Sequence, residues 1–302
     1  MSYMEDKTSR ALIYLNTERI ILKQQQASNE SKRISNRINK VCKYLKNGNL
    51  SYAISSIKNR NYKSSMDEGT DACDFEYLKD KKIAVYTVIF GKYDGLLDPL
   101  YITPNCDYYV ITNQEFSNLQ VWNRYNINTF RDRICNMTNQ EQARFFKTHP
   151  HLLFQEYEYS IFVDGNVQIV ADMRPIVAKL KANFIGIHQQ PGRDCIYQEA
   201  EAVIALGKAN RDAVYKQVNQ YRREGFPEHF GLFQTNVLVR NHNNDKCVDL
   251  MEKWWSEMEM HTKRDQLSLT YSLWKLGLCI NDVSVLGANT ALNPRFFVHK
   301  HQ

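Results

Sequence analysis

Residues 83–90 read IAVYTVIF. An unbroken, β-rich apolar run of this kind is what a strand covered on both faces requires, and such strands belong to parallel sheets. The run is far too short to cross a bilayer, which takes about 20 apolar residues. Downstream, DYYVITN (107–113) and LQVWNRYNI (119–127) read as a second and a third strand. Residues 138–157 read as a helix that Pro150 kinks or splits. YSIFVD (159–164) is a fourth strand, after which Asp164-Gly165-Asn166 interrupts the pattern before it resumes. NFIGIH (183–188) is a fifth strand, residues 198–223 are helical, LFQTNVLVR (232–240) returns to strand, and residues 245–258 and 264–276 are helical. Strands alternating with helices predict an α/β domain with a mostly parallel sheet.

Upstream the character differs. Residues 61–80 are polar and acidic and read as a linker. Residues 7–60 read as helical: Ile34, Ile38, Val41 and Leu45 form one stripe, Leu12, Leu15, Arg19 and Leu22 a weaker one, and Asn47-Gly48-Asn49 breaks the pattern. The expected organisation is a helical segment at 1–62, a linker at 63–80 and an α/β domain at 81–302.

The 302 residues are 43% hydrophobic and 24% charged, an ordinary globular balance. The net charge of +6 is unevenly placed, because residues 1–65 hold 13 Lys/Arg and 4 Asp/Glu, or +9, and the remainder about −3. That negative balance disfavours nucleic acid as a partner of the main domain. The basic segment suits an anionic membrane surface or self-association through residues 7–57. The seven cysteines are scattered and form no C-x-x-C pair, which argues against a zinc ribbon and a secreted disulfide framework. The polar start, MSYMEDKTSR, is unlike a signal peptide. The expectation is a cytoplasmic protein, peripheral at the membrane face if the basic segment docks there.

Several constellations carry chemistry. Gly91, with Tyr93 and Asp94 behind it, ends the 83–90 strand, and in open α/β sheets ligands bind beyond the carboxyl ends of strands. Thr112 and Asn113 end the next strand and can hydrogen-bond a base or ribose, or cap a turn. Arg144 and Lys147 are three apart on one helix face, with His149 and His151 following, and can neutralise a diphosphate or form a solvated basic face. Asp164 and Asn166 put two oxygen ligands at a strand end, where a hard cation such as Mg²⁺ or Mn²⁺ can bind; Asp-Gly is also a hairpin signal. Asp265 opens a helix, as a cap or as a general base facing a cleft. His299 and His301 near the C-terminus are metal ligands or part of a loose tail.

Taken in order, IAVYTVIFGKYD, DYYVITN, ARFFKTHPH, YSIFVDGNVQI, H-x4-R-x3-Y-x-E, EGFPEHFGLFQTNVLVRNH, WW and RDQLSLTY resemble the glycosyltransferase-like family of plant mucilage proteins and bacterial polysaccharide loci. The resemblance covers about residues 82–276. It implies a glycosyltransferase-A-type fold in which an Asp-x-Asp motif holds a divalent metal, Mn²⁺ or Mg²⁺, on a nucleotide-sugar diphosphate. The matching residues are Asp164-Gly165-Asn166, with an amide in place of the second carboxylate. Arg144 and Lys147 then face the diphosphate, and His188, Arg193, Tyr197 and Glu199 match a block near the sugar. Arg264, Asp265 and Gln266 match a motif near the reacting sugar and acceptor; Asp265 is the base if configuration inverts, and Asp265 or Gln266 steadies the oxocarbenium-like centre if it is retained. The implied activity is sugar transfer from a nucleotide-sugar donor to a glycan or lipid-linked glycan acceptor, in surface polysaccharide or glycoconjugate synthesis. The alternative is an inactive carbohydrate- or partner-binding relative with the same fold.

Overall fold

The computed structural model describes residues 76–91, 94–116 and 118–301. The helices expected within residues 7–60, and Tyr93, lie outside the described residues. The 83–90 run forms β1 (Ile83–Ile89), buried along its whole length. Its alternation feeds two cores. Ala84, Tyr86 and Val88 join one cluster, Ile83 and Val85 another on the opposite face. β2 (Cys106–Thr112) and β3 (Asn123–Arg124) follow on one side of β1. β4 (Tyr159–Val163) lies on the other side, then β5 (Val167–Ile169), β6 (Ile185–Gln189), β7 (Phe233–Arg240), β8 (Val283–Val285) and β9 (Phe296–Val298) complete the strands.

The main sheet has seven strands in the order β3-β2-β1-β4-β7-β6-β8, and β5 pairs with β9 in a second sheet of two. Every pairing in the main sheet is parallel except those of β7, which runs against β4 and β6. The expected mostly parallel α/β sheet is therefore present. Helices α1 (Arg131–Ile134), α2 (Asn139–Thr148) and α3 (Pro150–Leu153) join β3 to β4. α4 (Arg174–Ala178) joins β5 to β6, and α5 (Ile196–Ala205) and α6 (Arg211–Arg223) join β6 to β7. α7 (Asp245–Met260) and α8 (Leu269–Lys275) follow β7. Phe145 and Phe146 of α2 and Trp254, Trp255 and Met258 of α7 pack on one face of the sheet. Ile176 and Val177 of α4 cover the other.

Three expectations need correction. The third strand is two residues rather than nine, because Trp122 turns its indole N–H to the Leu97 carbonyl and Asn123 and Arg124 form an exposed edge. The 198–223 helix is two helices. Gly207, at φ +65°, ends α5, and the Asn210 side chain accepts from the Ala213 N–H to start α6. Residues 264–276 open not as a helix but as a 3-10 turn at Asp265–Leu267, with α8 beginning after Ser268. Pro150 does split the 138–157 helix, standing at the first position of α3.

Candidate active site

Chain order reverses at β1. β2 and β3 extend the sheet one way, and β4 returns to the other side of β1. The carboxyl ends of β1 and β4 at this reversal mark the position of the crevice in which open α/β sheets bind ligands. Because β7 is antiparallel, its first residues join the same edge.

The β1 side of the crevice is a shaped loop. Gly91 has φ +69°, and a Cβ there would lie 2.9 Å from the Asn139 side-chain nitrogen at the start of α2. The Gly91 N–H donates to Asn113 Oδ1 at 2.9 Å, and Asn113 Nδ2 donates to Asn139 Oδ1 at 3.0 Å. Gln114 Nε2 donates to the carbonyls of Gly91 and Asp94, while its backbone N–H donates to Thr112 Oγ1 at 2.9 Å. Thr112 and Asn113 thus build the loop with side-chain atoms that a ligand would otherwise take.

On the β4 side, Asp164 donates its N–H to the Asn236 carbonyl at 2.8 Å and starts a tight turn closed by Val167 N–H to Asp164 O at 2.9 Å. A Cβ on Gly165 would sit 3.1 Å from Asp94 Cβ and 3.2 Å from Ile89 Cγ1, so glycine lets the turn lie against the β1 loop. The C-terminal segment seals this turn. The His299 N–H donates to Asn166 O at 2.8 Å, the Asn166 amide donates to His299 O at 2.9 Å, and His301 Nδ1 lies 3.0 Å from Asp94 Oδ1.

Between these walls lies an ion-pair cluster. Lys147 is buried, with Nζ 2.6 Å from Asp265 Oδ2, 3.5 Å from Asp164 Oδ1 and 4.8 Å from the centre of the Phe162 ring. Arg144 places Nη1 3.2 Å from the same Asp265 oxygen and donates Nε–H to the Lys263 carbonyl at 3.3 Å. Thr235 at the mouth of β7 donates its hydroxyl to Asp265 Oδ2 at 2.8 Å, and Trp254 donates its indole N–H to the Asp265 carbonyl at 3.0 Å. Gln266 donates from its amide to Gln190 Oε1 at 3.0 Å and to Phe233 O at 3.2 Å. Arg264 keeps a buried Nε with no hydrogen-bond partner. Burial alone would raise the Asp265 carboxyl, but the charges of Arg144, Lys147 and Arg264 outweigh it and hold the group well below the usual carboxylate range. A proton acceptor works best near the operating pH. In this structure Asp265 is the ion-pair partner of Lys147 and Arg144.

Helix α2 carries both cations for local reasons. Its start is a capping box, with Thr138 Oγ1 accepting from Glu141 N–H at 3.3 Å and Glu141 Oε2 accepting from Thr138 N–H at 2.9 Å. Its end is clamped. Arg240, fully buried, donates Nη1–H to the Lys147 carbonyl at 2.8 Å and Nη2–H to Tyr86 Oη at 2.5 Å. Tyr86 in turn donates its hydroxyl to the same carbonyl at 3.0 Å. A guanidinium at a helix C-terminus is favourably placed against the dipole.

The His188, Arg193, Tyr197 and Glu199 block lies on β6, the loop after it and α5, and α5 packs against the Asp265–Leu267 turn. His188 is the penultimate residue of β6, opposite Gln234 across an irregular register, with Nε2 2.9 Å from Asn293 Nδ2. Burial, then Lys179, push its pKa down to about 3, so the ring is neutral. Arg193 Nε donates to Glu199 Oε2 at 2.7 Å. Tyr197 is two residues from Glu199 on α5 and so faces elsewhere, donating its hydroxyl to the Phe226 carbonyl at 2.7 Å. Sequence reasoning missed Gln114, Asn139, Gln190, Thr235, Asn236 and Trp254. A signal for two of them existed in FQTNVLVR, where polar residues interrupt the start of a buried strand.

As for a divalent metal, no group of three or more His, Cys, Asp or Glu among the described residues could hold one. His299 approaches through its backbone, and its Nε2 lies 2.9 Å from Gln168 Oε1. Its backbone ties the C-terminal segment to the Asp164 turn. The donor atoms that remain are the Asp164 carboxylate, about a third exposed, and the Asn166 amide oxygen, whose nitrogen is taken by His299. One carboxylate and one amide suit a hard cation that brings most of its ligands with it as phosphate and water.

A model of the TOD1/MUCI70 glycosyltransferase-like domain matches residues 57–286. The chain belongs to this family. Among curated proteins, the probable hexosyltransferase MUCI70 of Arabidopsis thaliana is 27% identical over 135 residues, 40% of this chain. The chain spans 22% of the length of that relative. Solved structures align at low identity. The WbbM bifunctional glycosyltransferase gives a TM-score of 0.43 at 12% identity, over 68% of this chain and 39% of that one. Mouse xyloside xylosyltransferase 1 gives 0.37 at 10%, over 68% and 84%, and the mannosyltransferase Ktr4p from S. cerevisiae 0.34 at 11%, over 74% and 72%. This TOD1/MUCI70 domain is built as a mostly parallel sheet flanked by helices.

Proposed function

We propose that this TOD1/MUCI70 domain is a glycosyltransferase that moves a sugar, a hexosyl or related group, from a nucleotide-diphosphate-sugar to a hydroxyl of a glycan or lipid-linked glycan. Synthesis of surface polysaccharide or glycoconjugate at the cytoplasmic face of a membrane is the setting we propose. The observation that carries the reading is the Lys147 ammonium shared by Asp265 at 2.6 Å and Asp164 at 3.5 Å, beside Arg144, in the crevice between β1 and β4. Family membership supports it, and the name of the Arabidopsis relative makes a hexosyl donor the first to try.

In this reading the diphosphate lies between Gly91, Asp94 and the Asp164 turn. Negative charge grows on the departing phosphate oxygens, and the fixed cations Arg144 and Lys147 stabilise it without reorganising. Asp265 holds those cations in place before the donor arrives. It stays ionised throughout, and Thr235 and Trp254 fix its position. Gln266, tied to Gln190 and Phe233, is the neutral group nearest the Asp265 carboxylate along the chain and orients the sugar or acceptor. Arg264 brings a buried, unpartnered N–H that a donor oxygen can satisfy. Asp164 with Asn166 would hold a Mn²⁺ or Mg²⁺ carried on the diphosphate, which would supply Lewis-acid stabilisation of the leaving group.

The test is release of nucleoside diphosphate from UDP- and GDP-hexoses, with and without added glycan. The expected result is release by the wild type and loss in Lys147→Ala and Asp164→Ala. If the wild type binds sugar yet releases nothing from any donor, the protein is an inactive carbohydrate-binding relative instead.

A further inference from the structure

Tyr197 and the EGFPEH segment (224–229) resemble parts of the family pattern, and the Tyr197 hydroxyl donates to the Phe226 carbonyl rather than to the Lys147–Asp265 pair. They meet elsewhere. A cleft of about 310 Å³ runs between α5 and α6, lined by Tyr197, Gln198, Glu201, Tyr215, Arg222 and His229 among others. That volume is at the lower end of ligand pockets, about 300–1,000 Å³. Its chemistry differs from the donor crevice. Gln198, Glu201 and His229 offer polar groups beside two tyrosines, whose hydroxyls donate to the Phe226 carbonyl and to Glu201 and whose rings carry Arg222 and Arg211, and Glu201 and Glu228 offset Arg222. Mixed hydrogen-bonding groups beside aromatic surface suit a polyhydroxylated ligand, not a diphosphate.

The rim of the cleft is held under strain. His229 has φ +57°, a conformation uncommon for a residue with a side chain, and it is exposed. Its Nδ1 lies 2.7 Å from Asp194 Oδ1, and the Asp194 carbonyl accepts from Gly231 N–H at 2.8 Å. The ring nitrogen Nε2 is left for a ligand. The same two segments run directly into the candidate active site. Gln190 N–H donates to Leu232 O at 3.0 Å, and Gln266 Nε2 donates to both Gln190 Oε1 and Phe233 O. Phe233 is four residues after His229, so their backbones are at most about 14 Å apart.

We infer that the α5–α6 cleft is an acceptor subsite that holds an oligosaccharide chain beyond the sugar that reacts, with Tyr215 and His229 as contact residues. This deepens the transferase reading and rests on it for the word acceptor. The cleft binds saccharide whether or not transfer occurs. Binding tightens with chain length because the chain must reach from the crevice past Phe233 to His229.

The experiment uses the full chain and ladders of manno-, xylo-, gluco- and galacto-oligosaccharides, from disaccharide to hexasaccharide, read by saturation-transfer NMR and titration. UDP and GDP binding is titrated on the same samples. The expected result is that at least one ladder binds more tightly with length. Tyr215→Ala and His229→Asn each weaken the longest member about tenfold, or about 1.4 kcal/mol, with nucleotide affinity unchanged. Asparagine tolerates the left-handed backbone, so His229→Asn tests the ring and not the fold. Oligosaccharide binding without nucleotide binding, lost in both variants, upholds the cleft and sinks the transferase reading. Nucleotide binding with no oligosaccharide bound, or with binding equal in wild type and variants, overturns the cleft.

Discussion

At the scale of the residue, the site turns on one buried carboxylate. Asp265 faces Lys147, Arg144 and the Thr235 hydroxyl, and removing one partner of such a buried pair strands the other charge. Asp265→Asn is expected to destabilise the fold by about 3–5 kcal/mol, read as a lower urea midpoint at unchanged slope. Asp265→Asn combined with Lys147→Met should regain part of that loss and none of the transfer. An unchanged midpoint in Asp265→Asn would show that the ion pairs contribute nothing. The sign of the pH effect follows from the same contacts. The folded carboxyl is held below its unfolded value, so its stabilisation is complete above the unfolded value, about pH 4. It is lost as pH falls from there towards the folded value.

At the scale of the element, α2 delivers both cations and β1 delivers the loop they face. Thr138→Ala removes half of the capping box and should cost about 1 kcal/mol of stability, with weaker nucleotide binding because Arg144 and Lys147 ride on the helix. Gly91→Ala puts a Cβ 2.9 Å from the Asn139 side chain at φ +69° and should weaken nucleotide binding more than it lowers the melting temperature. Equal nucleotide affinity in Gly91→Ala would mean that this loop does not touch the donor. These elements were legible in the sequence because each carries a local signal. β1 is an apolar run, α2 has Arg144 and Lys147 three apart and Pro150 behind, and Asp164-Gly165-Asn166 follows a buried strand. What was illegible depends on contacts between distant segments. Nothing local marks Thr235 as the partner of Asp265, 30 residues away, or Arg240 as the clamp on Lys147, 93 away. Tyr197 and Glu199 share one motif but opposite helix faces, and the break at Gly207 went unread because the apolar pattern runs on either side of it.

At the scale of the whole molecule, three buried histidines make the fold acid-sensitive well above the carboxylate range. Burial is the leading cause that pushes His149 and His242 down to about 4 and His188 to about 3. Unfolding lets each return to an ordinary value of about 6.5 and take up a proton, so stability is full above pH 6.5 and falls as pH drops. Together they predict a loss of stability as pH falls from about 6 to about 4, measurable as a falling urea midpoint. A flat midpoint over that range would mean that the three rings are charged or hydrated in the folded protein. The family match and the β1–β4 crevice lead to one central claim, that a nucleoside diphosphate binds between Gly91 and the Asp164 turn. The most direct test is isothermal titration of the full chain with UDP, GDP and CMP, each with and without Mn²⁺, in wild type, Lys147→Ala and Asp164→Ala. One nucleoside diphosphate is expected to bind, Lys147→Ala to abolish binding, and Asp164→Ala to remove any enhancement by Mn²⁺. Binding that both variants leave intact, or binding of none of the three nucleotides, would contradict it.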